Sequence, residues 1–370
     1  MLKFLKALSV FAGTIIGVGI FGLPYVAMKA GFLIVVFYFV LLTAIALVIH
    51  LMYGKVSLGT EGTHRLPGSV GIYMGSRWKK FTFLITGLGL AGAILAYLIV
   101  GGKFLNLFLS PIFGGSALIY TLIFFALGAI FIFRGIKSIS LIELFLLFVF
   151  FALLVVFFFK ALPFINTDYF KTLDVSLFAL PYGVILFSLW GSNVIPEVKE
   201  ILGGSAKLLK WVTIVGILLA AVTYLFFIYI ILGVSGAATS KEAISGLAGA
   251  LGNGIIRFGF VFGVITCFTS FLTLGLTLKK ILWHDFGVGQ NLSWLIACFF
   301  PLLLFFVGAR EFIEIIGLTG AVAVGVMGII IVLLYRKFLQ VKFARKMNPL
   351  FYLLPIFFIL GVLVETFYFF

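Results

Sequence analysis

Charge is what this chain has least of. Lys, Arg, Asp and Glu make up 10% of its 370 residues, whereas a soluble domain carries roughly a quarter. Too few charged groups remain to cover a surface that meets water, which excludes an ordinary soluble protein. Acids are the scarcer sign, with 11 Asp and Glu against 26 Lys and Arg, and there are three histidines, His50, His64 and His284. The two cysteines, Cys267 and Cys298, fall inside apolar runs, so they build neither a disulfide framework nor a metal-binding spacing. An intramembrane enzyme would show its chemistry, yet there is no His-Glu-x-x-His pair, no paired aspartates within an apolar run and no evident Ser/His dyad. A nucleotide-driven pump needs a phosphate-binding G-x-x-x-x-G-K-[ST] loop, and none occurs. No catalytic residue, metal or organic cofactor is expected.

What the chain has instead is apolar sequence, 64% of its residues. A spanning helix takes about 20 apolar residues. Such runs fall at about 5–28, 32–53, 80–109, 116–134, 138–161, 176–199, 207–233, 255–283, 290–307, 311–336 and 349–368. These eleven segments leave no room for a folded soluble module, so the chain reads as one multi-pass, all-α domain of the cell membrane. The net charge of +15 would suggest nucleic acid in a soluble protein. Here the basic residues sit in short connections and act as orientation signals, so the expected surroundings are a lipid bilayer and no nucleic acid. Counted over alternate connections, 19 of the 26 fall on one side, which places the N-terminus in the cytoplasm and the C-terminus outside. Lys3 and Lys6 ahead of an apolar stretch imitate a secretory signal, but ten more segments follow and this one reads as a retained first helix. Residues 55–79 form the longest inner connection, with a turn at Leu66-Pro67-Gly68. Residues 234–254 form an outer one, either a plain loop or a short helix over the pore.

Glycine and proline cluster twice where a spanning helix should run unbroken. Segment one reads GTIIGVGIFGLP over 13–24, and segment six reads FSLWGSNVIPE over 187–197. In both, a glycine (Gly19, Gly191) precedes a proline (Pro24, Pro196) by five residues, on segments that cross in opposite directions half a chain apart. Glycine costs about 1 kcal/mol in a helix interior and proline about 3. Close helix packing accounts for one such cluster; two at matching positions point to a transporter binding site. Unwinding at Gly17-Val18-Gly19 and at Trp190-Gly191 frees backbone groups at membrane depth. The freed N–H groups and the positive end of the second half-helix suit a carboxylate, and the freed carbonyls suit an ammonium group or a cation. Together they suit the two poles of an amino acid.

Four stretches, GTIIGVGIFGLPYVAMKAGF (13–32), HRLPGSVGIYMG (64–75), PYGVILFSLWGSNVIPEVKEIL (181–202) and TSFLTLGLTLKKILWHDFG (269–287), resemble the amino acid/auxin permease and aromatic amino acid permease families of the amino acid–polyamine–organocation superfamily. The resemblance implies a LeuT-like five-plus-five inverted repeat, with repeat one at about 5–161, repeat two at about 176–336 and helix 349–368 appended. It implies that N–H groups of Val18, Gly19 and Ile20 take the substrate carboxylate, while carbonyls of Ile15, Phe187 and Trp190 take its amino group. The ring of Phe187 matches a gate, and the substrate side chain meets Ala93, Tyr97 and Trp190. Gly17, Ser188 and Gly191 complete the expected contacts. Because these contacts are mostly backbone and no counter-charge is evident near the breaks, a neutral, large or aromatic amino acid is expected.

Ion coupling has two readings. Sodium-coupled relatives build a site matching the carbonyls of Gly13 and Ile16 and the oxygens of Thr266, Thr269 and Ser270, a set that suits a hard cation. Ser and Thr in membrane helices also bond back to their own backbone, and some sodium-coupled relatives have asparagine where this chain has Gly13. For protons, ionisable groups within the bilayer are functional suspects: Glu143 as carrier or as a partner of Lys137 or Arg134, then His50 and Glu197. Lys103 reads as a residue snorkelling to the interface. The expected activity is ion-coupled transport by alternating access, for which a monomer suffices. A non-transporting amino acid sensor on the same fold is the rival reading.

Overall fold

The computed structural model describes residues 2–62, 64–135, 139–247 and 253–369. The backbone is helical almost throughout because a chain in hydrocarbon must satisfy its own N–H and C=O groups. In chain order the helices are α1 (Leu2–Ile15), α2 (Gly19–Ala30), α3 (Phe32–Gly59), α4 (Leu66–Met74), α5 (Ser76–Phe113), α6 (Ala117–Arg134) and α7 (Ile139–Ala161). They continue as α8 (Leu180–Ser188), α9 (Ile195–Ile201), α10 (Ala206–Ser235), α11 (Asn253–Lys280), α12 (Gln290–Val307), α13 (Phe312–Leu318), α14 (Gly325–Phe343) and α15 (Leu353–Phe369).

Among the described residues nine helical stretches are long and apolar enough to cross a membrane, and α1 with α2, bent by 46°, makes a tenth. The sixth predicted segment exists as two short helices, α8 of 9 residues and α9 of 7, each too short to cross alone.

Several boundaries differ from the expectation. α3 runs to Gly59, and α5 is 38 residues long rather than spanning 80–109. The supposed inner loop 55–79 contains α4, because Pro67 stands in its first turn, where a proline starts a helix instead of ending one. Segment six starts at Leu180, after three short 3₁₀ turns between Leu162 and Leu177. In the 234–254 connection the described residues hold 3₁₀ turns at Gly236–Ala238 and Ile244–Leu247; 248–252 lie outside them.

Two groups of helices build the core. α1, α2, α8 and α9 pack with α3 and α10, while α5, α6, α11 and α12 form a second group. α7 touches α1, and α13 with the π-helical turn Thr319–Val324 joins α8 to α5. Small residues let the second group close tightly: a methyl placed on Gly101, Gly102 or Gly263 would overlap Phe124, Thr121 or Phe104. The Lys- and Arg-rich connections lie at one end of the bundle, called here the basic face, and the turns around residues 236–247 at the far face.

Candidate substrate and ion site between two broken helices

The first break follows from three backbone hydrogen bonds. Ile16 N–H makes the last regular bond of α1, to Ala12 carbonyl at 2.7 Å. Gly17 N–H then turns to Ile15 carbonyl (2.7 Å) instead of Gly13, and Ile20 N–H to Gly17 carbonyl (3.3 Å) instead of Ile16. The carbonyls of Gly13 and Ile16 thereby lose their regular helical partners. Restarting at Gly19, α2 presents the orphan donors that every helix N-terminus leaves.

The second break is held by a histidine. Past Ser188, Trp190 N–H reaches Phe187 carbonyl at 3.2 Å, and Gly191 N–H donates to His50 Nε2 at 2.9 Å. His50 Nδ1 stands 2.6 Å from Ala46 carbonyl, which assigns the proton to Nδ1 and the acceptor role to Nε2. The ring is fully buried and meets Phe11 and Trp190 edge-on at 5.9 and 5.1 Å. His50, a proton candidate on sequence, is thus engaged as the cap of the break.

The two breaks touch. A methyl on Gly19 would overlap the Ser188 side chain, and one on Gly191 would press on Ile15 and Phe11. Tyr224 on α10 stitches them together: its hydroxyl contacts Ile15 carbonyl and lies 3.0 Å from Ser188 carbonyl. These are the last carbonyls of α1 and α8, and the phenol's single proton serves one at a time.

Two cavities open beside this junction. One, about 40 Å³, gathers seven of the expected substrate residues: Ile15, Gly19, Ala93, Tyr97, Phe187, Ser188 and Trp190. Thr14, Gly89, Asn193, Leu274, Thr319, Val324 and Met327 complete its wall, and none of these side chains is charged. That volume holds a few water-sized groups, so the rings of Tyr97, Phe187 and Trp190 must move for an amino acid to enter.

Gly17, Val18, Ile20 and Gly191 do not line this cavity. Gly17 lies against the Tyr97 hydroxyl, Val18 backbone is in that hydroxyl's hydrogen-bonding range, and Gly191 N–H is on His50. With its N–H turned to Gly17 carbonyl, Ile20 differs from the free donor expected.

The second cavity, about 30 Å³, brings together all five expected ion residues, Gly13, Ile16, Thr266, Thr269 and Ser270, with Leu147 and Phe150. Positions 266, 269 and 270 share a face of α11 because helical neighbours recur at three and four residues. Thr269 also bonds back to its own helix, at 3.2 Å to Ile265 carbonyl and 3.1 Å to Thr266 carbonyl. Tyr97 joins the two cavities, since it lines the first and its hydroxyl meets Ser270 of the second. Glu143 sits on α7, but its side chain and Lys137 lie outside the described residues.

A family model described as the tryptophan/tyrosine permease family matches residues 1–364. The chain belongs to that family. Of the two families it resembles on sequence, the aromatic one is borne out, whereas the amino acid/auxin family as such is not matched. A tyrosine-specific transport system of Haemophilus influenzae is 27% identical over 335 residues, covering 84% of this chain and 82% of the relative. Among solved structures, the nucleobase-cation-symport-1 transporter Mhp1, closed with bromovinylhydantoin bound, superposes with a TM-score of 0.74. It is 14% identical and covers 95% of this chain and 80% of that one. MhsT in complex with L-phenylalanine gives 0.69 at 15% identity, covering 99% and 98%. The protein is a multi-pass amino acid secondary transporter with a LeuT-like fold, and not an enzyme.

Ion pairs and lysine–carbonyl hydrogen bonds tie elements of the permease together at both ends. On the basic face Arg65 holds Glu197 at 2.5 Å, Lys79 donates to Asp285 carbonyl at 2.5 Å, and Lys199 donates to Ser57 and Thr60 carbonyls at 2.6 and 3.0 Å. These contacts tie α9 to α3 and α5 to the end of α11. On the far face Lys103 holds Glu242 at 2.8 Å and Lys241 holds Glu311 at 2.5 Å. Lys103, whose side chain is half exposed, thereby tethers the far-face turns to α5. Burial pushes the Glu242 carboxyl up, but hydrogen bonds from Lys103 and Ser245 outweigh it and hold the group below its ordinary value.

Sequence reasoning missed Tyr224, Asn193 and the π-helical turn at Thr319–Val324. A π turn inside an α-helix often marks a functional position, but its sequence, TGAVAV, reads as ordinary small-residue packing.

Proposed function

We propose that the permease carries an aromatic amino acid of the tyrosine or tryptophan class, with sodium as the coupling ion, by alternating access. The observation that carries this reading is the pair of adjoining cavities with Tyr97 between them. One is uncharged and ringed by aromatic side chains; the other is lined by oxygens. The substrate carboxylate sits at the Gly19 N–H group, at the positive end of α2, and Val18 N–H joins it once the Tyr97 hydroxyl moves away. Its ammonium group uses the carbonyls of Ile15, Phe187 and Trp190; a lone pair opens on Ile15, which already accepts from Gly17 N–H, when the Tyr224 hydroxyl turns to Ser188 carbonyl. The ring lies among Ala93, Tyr97, Trp190 and Met327, with Thr319 and Asn193 available to a phenol or indole polar atom. An uncharged wall disfavours basic and acidic substrates, which would bury an unpaired charge.

The carbonyls of Gly13 and Ile16, freed by the break, and the oxygens of Thr266, Thr269 and Ser270 suit sodium. A filled ion site fixes Ser270 and through it Tyr97, which links the two loads. A second reading comes from the sequence alone: Glu143, an acid within an apolar segment, is a candidate proton carrier. In that reading a proton at Glu143 takes the place of sodium. The chain is organised as two inverted halves, about 5–161 and 176–336, with the basic face in the cytoplasm and the far face outside.

The test is uptake of labelled L-tyrosine and L-tryptophan into proteoliposomes under an imposed sodium gradient or an imposed pH gradient. Sodium is expected to stimulate uptake and a pH gradient alone to leave it unchanged. Uptake driven by pH alone would transfer the coupling to Glu143. Saturable binding with no flux would support the sensor.

A further inference from the structure

One buried acid takes no part in the sites above. Glu365, near the end of α15, is fully buried, and among the described residues neither of its carboxyl oxygens makes a hydrogen bond of regular geometry, the Gly183 backbone N–H being a donor in range. It faces the place where α8, the outer half of the broken sixth segment, meets the tenth. There the backbones are in direct contact: a methyl on Gly183 would overlap Gly317 carbonyl, and one on Gly320 would overlap Gly183 carbonyl. The same methyl on Gly183 would stand 2.8 Å from Glu365 Oε1. One turn away the Tyr182 ring lies on Gly361, so that a methyl there would overlap it, and the Tyr182 hydroxyl is also buried without a partner.

Among the described residues the surroundings hold no counter-charge. From α8 the carboxyl faces Tyr182, and from α3 it faces Tyr38, whose ring is 6.3 Å from that of Tyr182. From α13 the titratable residue is Glu314, which is exposed and lies near Lys241 instead. The π-helical turn Thr319–Val324 has no titratable residue. On α14 the charged residues sit at the opposite end, where Arg336 lies over the Tyr352 ring at 5.7 Å. One backbone N–H without a cation does not offset the cost of burying a carboxylate, so this packing favours the neutral group.

We propose that Glu365 is a proton-binding site on the outer side of the permease, and that its occupancy licenses closure of α8 against the tenth segment. The inference rests on the alternating-access reading, in which α8 moves to admit substrate. Closure buries the carboxyl with its proton on one oxygen; opening brings water to it, and the proton leaves to the outer solution. The closed form holds one proton more than the open form, so acid favours closure. Where the open form is ionised, the closed-to-open ratio falls about tenfold for each pH unit of rise. The ionised Glu242–Lys103 tether has the opposite sign, since acid would release it, and its depressed carboxyl puts that effect at lower pH.

The test uses the full-length protein with equal pH on both sides, so that no proton gradient exists. In sodium-driven uptake the wild type is expected to change with pH by up to tenfold per unit and Glu365→Gln, a permanent neutral mimic, to be flat across the same range. Infrared difference spectra should show a protonated-carboxyl C=O band in the wild type that is missing from Glu365→Gln; this readout does not depend on flux, so it survives a failure of the transport reading. Should that variant fail to fold, carbodiimide labelling of the wild type, mapped by peptide mass, is expected at Glu365 in acid and lost on alkalinisation. A wild-type pH profile in Glu365→Gln, an unchanged infrared band, or labelling at Glu365 that is absent or indifferent to pH would overturn the proposal.

Discussion

Gly19→Leu is expected to weaken substrate binding by more than a hundredfold while the protein still inserts and folds. Even a single added methyl here overlaps the Ser188 side chain and stands 3.1 Å from the Ser188 backbone. Leucine adds three further carbon atoms at the point where the two breaks meet. Overpacking of this kind costs about 1–3 kcal/mol, and the side chain also fills a cavity of about 40 Å³ that the substrate must enlarge. Two further effects add to it: α2 loses the close approach at its first N–H, and Ser188 loses its seat at the end of α8. The measurement is equilibrium binding of labelled L-tyrosine to purified protein. Gly87→Ala on α5, where a methyl meets nothing within 4 Å, should bind as the wild type does. Unchanged affinity in Gly19→Leu would mean that substrate binds elsewhere.

His50→Leu should reduce uptake by about tenfold or more, with partial recovery in His50→Gln. Leucine fills the space between Phe11 and Trp190 but removes the acceptor for Gly191 N–H, which sits 2.9 Å from Nε2. An orphaned buried amide costs about 1–3 kcal/mol, and a loss of 1.4 kcal/mol is a factor of ten. Relief comes by rewinding the break or by turning Trp190, and either change spoils the cavity. Glutamine restores an acceptor oxygen without the ring. Initial rates of uptake, set beside the thermal stability of each variant, separate the cap from general destabilisation. Equal rates in wild type and His50→Leu would show that the cap is dispensable.

Much of this architecture is legible in the sequence, and the limits are physical. The breaks are readable because glycine and proline act through the local backbone, so Gly19 with Pro24 and Gly191 with Pro196 reveal themselves without tertiary knowledge. The second cavity is readable only through the family resemblance, which points to Gly13, Ile16, Thr266, Thr269 and Ser270; the helical spacing of the last three explains why they share one face. Long-range partners are not readable. Lys103 reads as an interface residue, and its partner emerges only where the turn carrying Glu242 folds back on it; nothing local marks Tyr224 among 13 tyrosines as the bridge between two helix ends. Pro67 is ambiguous, since a proline marks both a turn and a helix start. Glu365 escapes attention because it lies in the last apolar segment, far in sequence from either break, and only packing shows its carboxyl against Gly183.

The central claim is that an aromatic amino acid crosses the membrane by way of the junction between the two breaks. Entrance counterflow tests it most directly: vesicles preloaded with unlabelled L-tyrosine are diluted into a trace of labelled L-tyrosine. Labelled substrate should accumulate transiently above its equilibrium level with the wild type and fail to do so with Gly19→Leu. No overshoot with any aromatic amino acid, or the same overshoot in both proteins, would contradict the account.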